Sequence, residues 1–119
     1  MAKGAINHLD IPADDLERAK SFYAAVAGWS YESYGDEGYW LFKTGPQSGG
    51  GIGRRGSTAG DVLRIYISVD SLDEAVAAAE TNGGRVKVPA TDIPGMGRYA
   101  AIIDTEGNEV GLWENAPEA

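Results

Sequence analysis

Two side chains in this sequence can move or hold charge on a small molecule, His8 and Arg64, and they stand 56 positions apart in matching contexts. His8 opens the run His-Leu-Asp-Ile and Arg64 opens Arg-Ile-Tyr-Ile, each with the alternation of a half-buried strand. In the first run Leu9 and Ile11 share one face, and Ile6, His8 and Asp10 the other. In the second, Leu63, Ile65, Ile67 and Val69 lie opposite Arg64, Tyr66 and Ser68. Near the C-terminus Glu109, Gly111 and Trp113 alternate with Val110 and Leu112. An imidazole carries protons near neutral pH, and a guanidinium is a fixed cation suited to a carboxylate, phosphate or enolate. His8 therefore reads either as an acid/base group or as a satisfied buried histidine. Arg64 reads either as an anion holder or as half of an internal pair with Asp10 or Glu109, because a buried guanidinium must be paired. Tyr66, Trp113 and Trp40 supply the aromatic surface usual in a small-molecule pocket.

The elements that must place these groups repeat along the chain. The same offset lays Leu16 on Leu72, Ala19 on Ala75 and Gly28 on Gly84 without a gap, and such self-similarity governs the expected architecture. In the first copy Asp14 or Asp15 caps a helix predicted over 14–27, with the stripe Leu16, Ala19, Phe22, Tyr23 and Val26 and a stop at Gly28. In the second, Ser71 and Glu74 form a capping-box signature for a helix over 71–82, with Leu72, Ala75, Val76 and Ala79 inward and Asn82-Gly83-Gly84 as the stop.

Strands are expected at 29–34 and 39–43, joined by the turn formers of 35–38. The glycine run 49–53 is either a strand that something must approach closely or a flexible loop. Residues 86–88 read as a short strand, 89–97 as an irregular loop, and 99–103 with 109–114 as a pair joined through 104–108. The expected fold is α+β, one domain over 1–119 made of two tandem βαβββ modules, 4–56 and 61–115, linked through 56–60. One face of each sheet is covered by its helix, and the other carries His8, Asp10, Arg64, Tyr66 and Trp113. Those polar faces, from one chain or from two chains of a dimer, are expected to curl around a common cup.

With 119 residues the chain can bury a core without staples, and the absence of cysteine excludes disulfides and thiolate metal sites. A net charge of −8 repels phosphate backbones, so nucleic acid is not an expected partner. Arg54-Arg55 is the one basic cluster, read as a solvated turn or as a grip on an anion. No signal-peptide core or membrane-length apolar run is seen, which suits a cytoplasmic protein without a membrane partner. No nucleophile elbow, phosphate loop or thiol motif is present.

The strand followed by Asp-Leu-Glu-Arg-Ala-Lys-Ser-Phe-Tyr (15–23) and Gly28-Trp29 carries a resemblance. So do Val69-Asp70-Ser71-Leu72-Asp73-Glu74-Ala75, Asn82-Gly83-Gly84 and Asp104-Thr105-Glu106-Gly107-Asn108 in the second half. Together these resemble the vicinal oxygen chelate superfamily, which covers glyoxalase I, bleomycin-resistance proteins, fosfomycin-resistance enzymes and extradiol dioxygenases. The resemblance spans nearly the whole chain and implies a half-open barrel of two modules. In metal-dependent members the ligands come from the first and last strands of each module. By that correspondence the four positions here hold His8, Arg64, Gly111 and Gly53 or a close neighbour.

The resemblance therefore implies no intact metal site and no cofactor, since a divalent ion needs three or four donors and an arginine adds positive charge where the ion would sit. Asp10 and Glu109 could join His8 in a displaced site only if the geometry were rebuilt. Three readings follow. The first is a metal-independent enzyme of the lyase or isomerase kind, in which Arg64 holds an oxyanion and His8 moves a proton. The second is a bleomycin-resistance-like binder whose acidic grooves sequester a cationic antibiotic. The third is a metal-dependent glyoxalase or dioxygenase, disfavoured by the missing ligands. A homodimer is expected, both from the resemblance and from the exposed edges that the aromatic hairpin and the glycine strand would give each half-sheet.

Overall fold

The computed structural model describes residues 3–34, 38–46, 48–57 and 59–117. The chain divides into two compact units, one formed by Asn7–Arg64 and the other by Ile65–Ala119 with Met1–Ile6. The first unit carries β1 (Ile6–Ala13), α1 (Leu16–Ala27), β2 (Glu32–Ser33), β3 (Tyr39–Gly45) and β4 (Ser48–Arg54). The second carries β5 (Arg64–Ser68), α2 (Leu72–Thr81), β6 (Arg85–Ile93), β7 (Gly97–Ile103) and β8 (Glu109–Asn115). Both are βαβββ, and both pair their first strand in parallel with their last: the orders are β2-β3-β4-β1 and β5-β8-β7-β6. This is the α+β architecture of tandem modules that the repeat predicts. Among the described residues no helix is long and apolar enough to cross a membrane.

Asp15 is the cap of α1, accepting from the Arg18 backbone N–H at 3.0 Å. Asp14 instead pairs with Arg55 at 2.8 Å. The helix stops because Gly28 takes a left-handed φ of 73°, which costs a glycine little, and its N–H reaches the Ala24 carbonyl. Of the expected apolar stripe, Leu16 is buried and Ala19 and Tyr23 pack on the core, but Phe22 and Val26 are 57% and 68% exposed. Adjacent helical residues point about 100° apart, so Phe22 and Tyr23 cannot both face the sheet. Tyr23 wins the inner place by stacking on Trp29 at 5.2 Å, and Trp29 stacks on Phe42 at 4.0 Å. The same stack overturns the expected strand over 29–34. Trp29 turns onto the core, the Tyr31 hydroxyl donates to the Lys20 carbonyl, and only Glu32 and Ser33 remain to pair with β3. The turn expected at 35–38 lies largely outside the described residues.

The glycine run is a strand, and it is interior: β4 lies between β3 and β1. It therefore gives the sheet no exposed edge, contrary to expectation. What approaches its backbone is aromatic. A Cβ on Gly50 would come within 2.6 Å of the Phe42 ring on the helix side, and one on Gly51 would collide with the Tyr39 phenol on the other. Ile11, Ala13, Leu16, Phe42 and Ile52 form the core of this unit.

In the second unit Ser71 caps α2 by accepting from the Glu74 N–H at 3.2 Å, and the Glu114 carboxylate accepts from the Leu72 N–H at 2.7 Å. Leu72, Ala100 and Leu112 form the core, with Ile67, Val69, Ala75, Val76 and Ile102 against them. Strand β5 begins at Arg64 and leaves Val62 and Leu63 exposed. The loop expected at 89–97 is mostly strand, because β6 runs on to Ile93. Pro89 is tolerated there since β6 is an edge strand whose register slips between Val86 and Thr91, where no ladder N–H is required.

Candidate functional site

In each unit the helix covers one sheet face and strand alternation sends the other side chains away from it. In the first unit that second face holds His8 and Asp10 from β1, Tyr39 from β3 and Gly51 from β4. Asp10 is 3% exposed. Its Oδ1 accepts from the Tyr39 hydroxyl at 2.5 Å and lies 3.0 Å from His8 Nε2, while Nε2 is 3.1 Å from the Tyr39 oxygen. Two groups able to exchange protons thus share one carboxylate oxygen, and the imidazole is about one-third exposed. A buried carboxylate with two donors is satisfied, which is what keeps a charge tolerable at that depth.

Tyr39 was not singled out by the sequence, and it is the residue that ties the group together. The alternation of Tyr39, Leu41 and Lys43 against Trp40 and Phe42 carried the signal. It also relocates Trp40, which was expected beside the polar groups. Phe42 belongs to the helix-side core, so Trp40 faces that side too, with Lys20 Nζ at 3.5 Å from its ring centre.

In the second unit the face away from α2 holds Tyr66, Tyr99, Gly111 and Trp113. The Tyr66 ring lies over Gly111, where a Cβ would overlap it, and 6.4 Å from the Tyr99 ring centre. Trp113 lies over Gly97 and its indole N–H donates to Asn115 at 2.7 Å. Glu109 forms an ion pair with Lys87 at 2.9 Å. Arg64 is 6% exposed, and its guanidinium packs against Gly60, 3.1 Å from where a Cβ would stand.

Pairing register fixes the position that sequence left at Gly53. Tyr66 pairs with Gly111, and Asp10, which occupies the place of Tyr66 in the first unit, pairs with Gly51. The four positions at which the resemblance implies metal donors thus hold one imidazole, one guanidinium and two glycines, each glycine overlaid by a tyrosine. These residues do not fit a divalent cation. Among the described residues no group of three or more His, Asp or Glu is placed to hold one.

A cleft of about 500 Å³ lies elsewhere, at the start of α1, lined by Asp14, Asp15, Glu17, Arg54 and Arg55. Arg55 is tied there to Asp14 and, through Nη1, to the Asp61 carbonyl at 2.7 Å. Charges of both signs line this open groove.

Similar proteins differ in what they are named for. CFP32 of Mycobacterium tuberculosis, a glyoxylase by name, is 29% identical over 94% of this chain and 46% of its own length. The anthracycline biosynthesis protein DnrV of Streptomyces peucetius is 25% identical over 94% of this chain and 47% of its own. The chain spans about half the length of these relatives. Among solved structures, a glyoxalase/bleomycin resistance protein/dioxygenase superfamily member from Vibrio splendidus shares the fold, with a TM-score of 0.66 and 8% identity over 95% of this chain and 99% of that one. Residues 5–112, both βαβββ units together, match the family's own sequence pattern, and the chain belongs to the glyoxalase/bleomycin resistance protein/dioxygenase superfamily.

Proposed function

We propose that this member binds a small organic anion and moves a proton on it without a metal, the chemistry of an isomerase or lyase. The observation that carries the reading is the His8–Asp10–Tyr39 cluster on the sheet face that the helix leaves uncovered. His8 takes a proton from the carbon next to the ligand's carboxylate or carbonyl, leaving an enolate. The imidazolium so formed returns the proton to the same or a neighbouring carbon, so no co-reactant is consumed. Arg64 supplies a fixed positive charge for the oxyanion, because a guanidinium favours carboxylate and enolate oxygens.

The net charge of −8 favours a second reading, a protein that sequesters a cationic compound unchanged. One experiment separates the two. A thermal-shift panel of 2-oxo and 2-hydroxy acids and of cationic antibiotics is followed, for every hit, by NMR in deuterium oxide. A small acid that raises the melting temperature and exchanges a carbon-bound proton supports the enzyme. A cationic antibiotic that raises it and emerges unaltered supports the binder.

A further inference from the structure

Helix α2 ends on Asn82-Gly83, the one Asn-Gly pair in the chain. The Gly83 N–H donates to the Glu80 carbonyl at 3.4 Å and the Gly84 N–H to the Ala79 carbonyl at 2.8 Å. This closure needs a left-handed residue after the cap, and Gly83 supplies it with a φ of 100°. Asn82 adds its own grip. Its backbone N–H and its side-chain Nδ2 both donate to the Ala78 carbonyl, at 3.0 and 2.8 Å, and the residue is exposed.

An asparagine followed by glycine is chemically labile, because no side chain on the glycine hinders attack of its backbone nitrogen on the asparagine Cγ. The attack forms the N–Cγ bond, gives the glycine N–H proton to solvent and expels Nδ2 as ammonia. Water then opens the five-membered imide at either carbonyl, giving aspartate or, with the chain rerouted through Cβ, isoaspartate. In the folded chain the reacting groups are held apart. At a ψ of 20° the Gly83 nitrogen nearly eclipses the Asn82 nitrogen, whereas the ring closes only when it eclipses Cβ. The leaving group is tied to Ala78, and the N–H of the attacking nitrogen to Glu80.

We propose that Asn82 is a modification site gated by the last turn of α2, closed to imide formation while the turn is made and open to it whenever the turn frays. Helix ends open at low free-energy cost, so the conversion records how often this end has opened. The product does not restore the lock. A carboxylate lacks the Nδ2 donor, and it puts negative charge at the end of a helix whose last turn holds no basic residue, where the dipole disfavours it. Isoaspartate also lengthens a connection without slack: a Cβ on Gly83 would stand 3.3 Å from Thr105, and one on Gly84 would stand 2.7 Å from the Ile103 carbonyl. Each conversion therefore leaves the turn easier to open.

The test follows one peptide. Trypsin releases residues 65–85, in which Asn82 is the only asparagine. The full chain is incubated at mildly alkaline pH, folded or unfolded in guanidinium chloride, and conversion of amide to acid is read by mass spectrometry. The unfolded chain is expected to convert at least about tenfold faster than the folded one. Ala78→Gly, at an exposed helical position, loosens the last turn and should convert several-fold faster than wild type under folding conditions. Asn82→Asp should melt below wild type. Equal rates in the folded and unfolded chain would overturn the gate, as would an Ala78→Gly rate equal to that of wild type. Faster conversion at another asparagine of the unfolded chain would overturn Asn82 as the site, and an Asn82→Asp variant as stable as wild type would overturn the loss of the lock.

Discussion

The Tyr39 phenol occupies the volume in which a side chain at position 51 would begin, so position 51 can take a larger residue only if Tyr39 is made smaller. The consequence for binding is direct, because the same phenol is one of the two oxygens that face His8 Nε2. A site usually reads as the sum of its side chains. Here one member contributes by having none.

Asp10 is the buried acceptor shared by His8 and Tyr39, and removing it takes that partner from two half-buried groups. Asp10→Ala is expected to lower unfolding stability by about 1–3 kcal/mol, the range for stranding a buried hydrogen-bonding group. Urea denaturation measures it, and a loss below a few tenths would show that water replaces the carboxylate without cost.

Arg64 separates ligand chemistry from scaffolding. If it holds the oxyanion, Arg64→Ala weakens any acid found in the panel by about 1.5–3 kcal/mol, the scale of a hydrogen bond to a charged group. Calorimetric titration reads this. Unchanged affinity with lowered stability would assign Arg64 to an internal pair instead.

Arg64→His would place a second imidazole at the position matching His8, yet Gly51 and Gly111 would still offer no donor beneath their tyrosines. Tight zinc or nickel binding is therefore not expected from this variant. Metal titration by calorimetry checks it, and nanomolar affinity would mean that the assignment of the four positions is mistaken. Adding Gly51→Glu and Gly111→Glu is expected to fail as well unless Tyr39 and Tyr66 are first cut to smaller residues.

Asp104 gives the fold a measurable acid limit. The Asn108 backbone N–H, the Asn108 side chain and the Glu106 N–H all donate to it, and these bonds hold its carboxyl below the usual range. A folded value below the unfolded one means that its contribution is present above about pH 4 and is lost as pH falls through the folded value. Asp104→Ala should therefore be less stable than wild type at neutral pH, with the gap in melting temperature closing as the medium is acidified. A gap that stays constant with pH would contradict this.

Association of two copies is the remaining prediction. The short edge strand β2 and the exposed pair Phe22 and Val26 on α1 leave the first unit with a pairing edge and apolar surface. Sedimentation at micromolar concentration should give twice 12.5 kDa. A mass of one chain would reject it.

The helices and the repeat were legible because their signals are local: Asp15, Ser71 and Gly28 act within one turn of where they stand. The polar face was legible by alternation, which set His8 and Asp10 apart from Leu9 and Ile11. What failed depended on partners distant in sequence. Pro89 reads as a loop residue unless β6 is known to be an edge, and Trp40 and Tyr39 look alike until Phe42 decides which face is the core. The glycine run stayed ambiguous because its meaning lies in Tyr39 and Phe42, whose rings cross it. The histidine was visible; its two partners' geometry was not.

The parallel pairing of β1 with β4 has a consequence for how the first unit assembles. The β3–β4 hairpin joins Phe42 to Gly50, neighbours along the chain, whereas β1–β4 joins His8 to Gly49 around a closed segment of roughly 40 residues. Loop-closure entropy falls on the second contact, and non-local pairings are the slow ones to form. Tyr39 and Gly51 thus meet within a hairpin that is local in sequence, while His8 and Asp10 arrive only when the far end of the module docks. The proton-sharing cluster is a clasp: half of it is made locally, and it closes only once the module has folded back on itself.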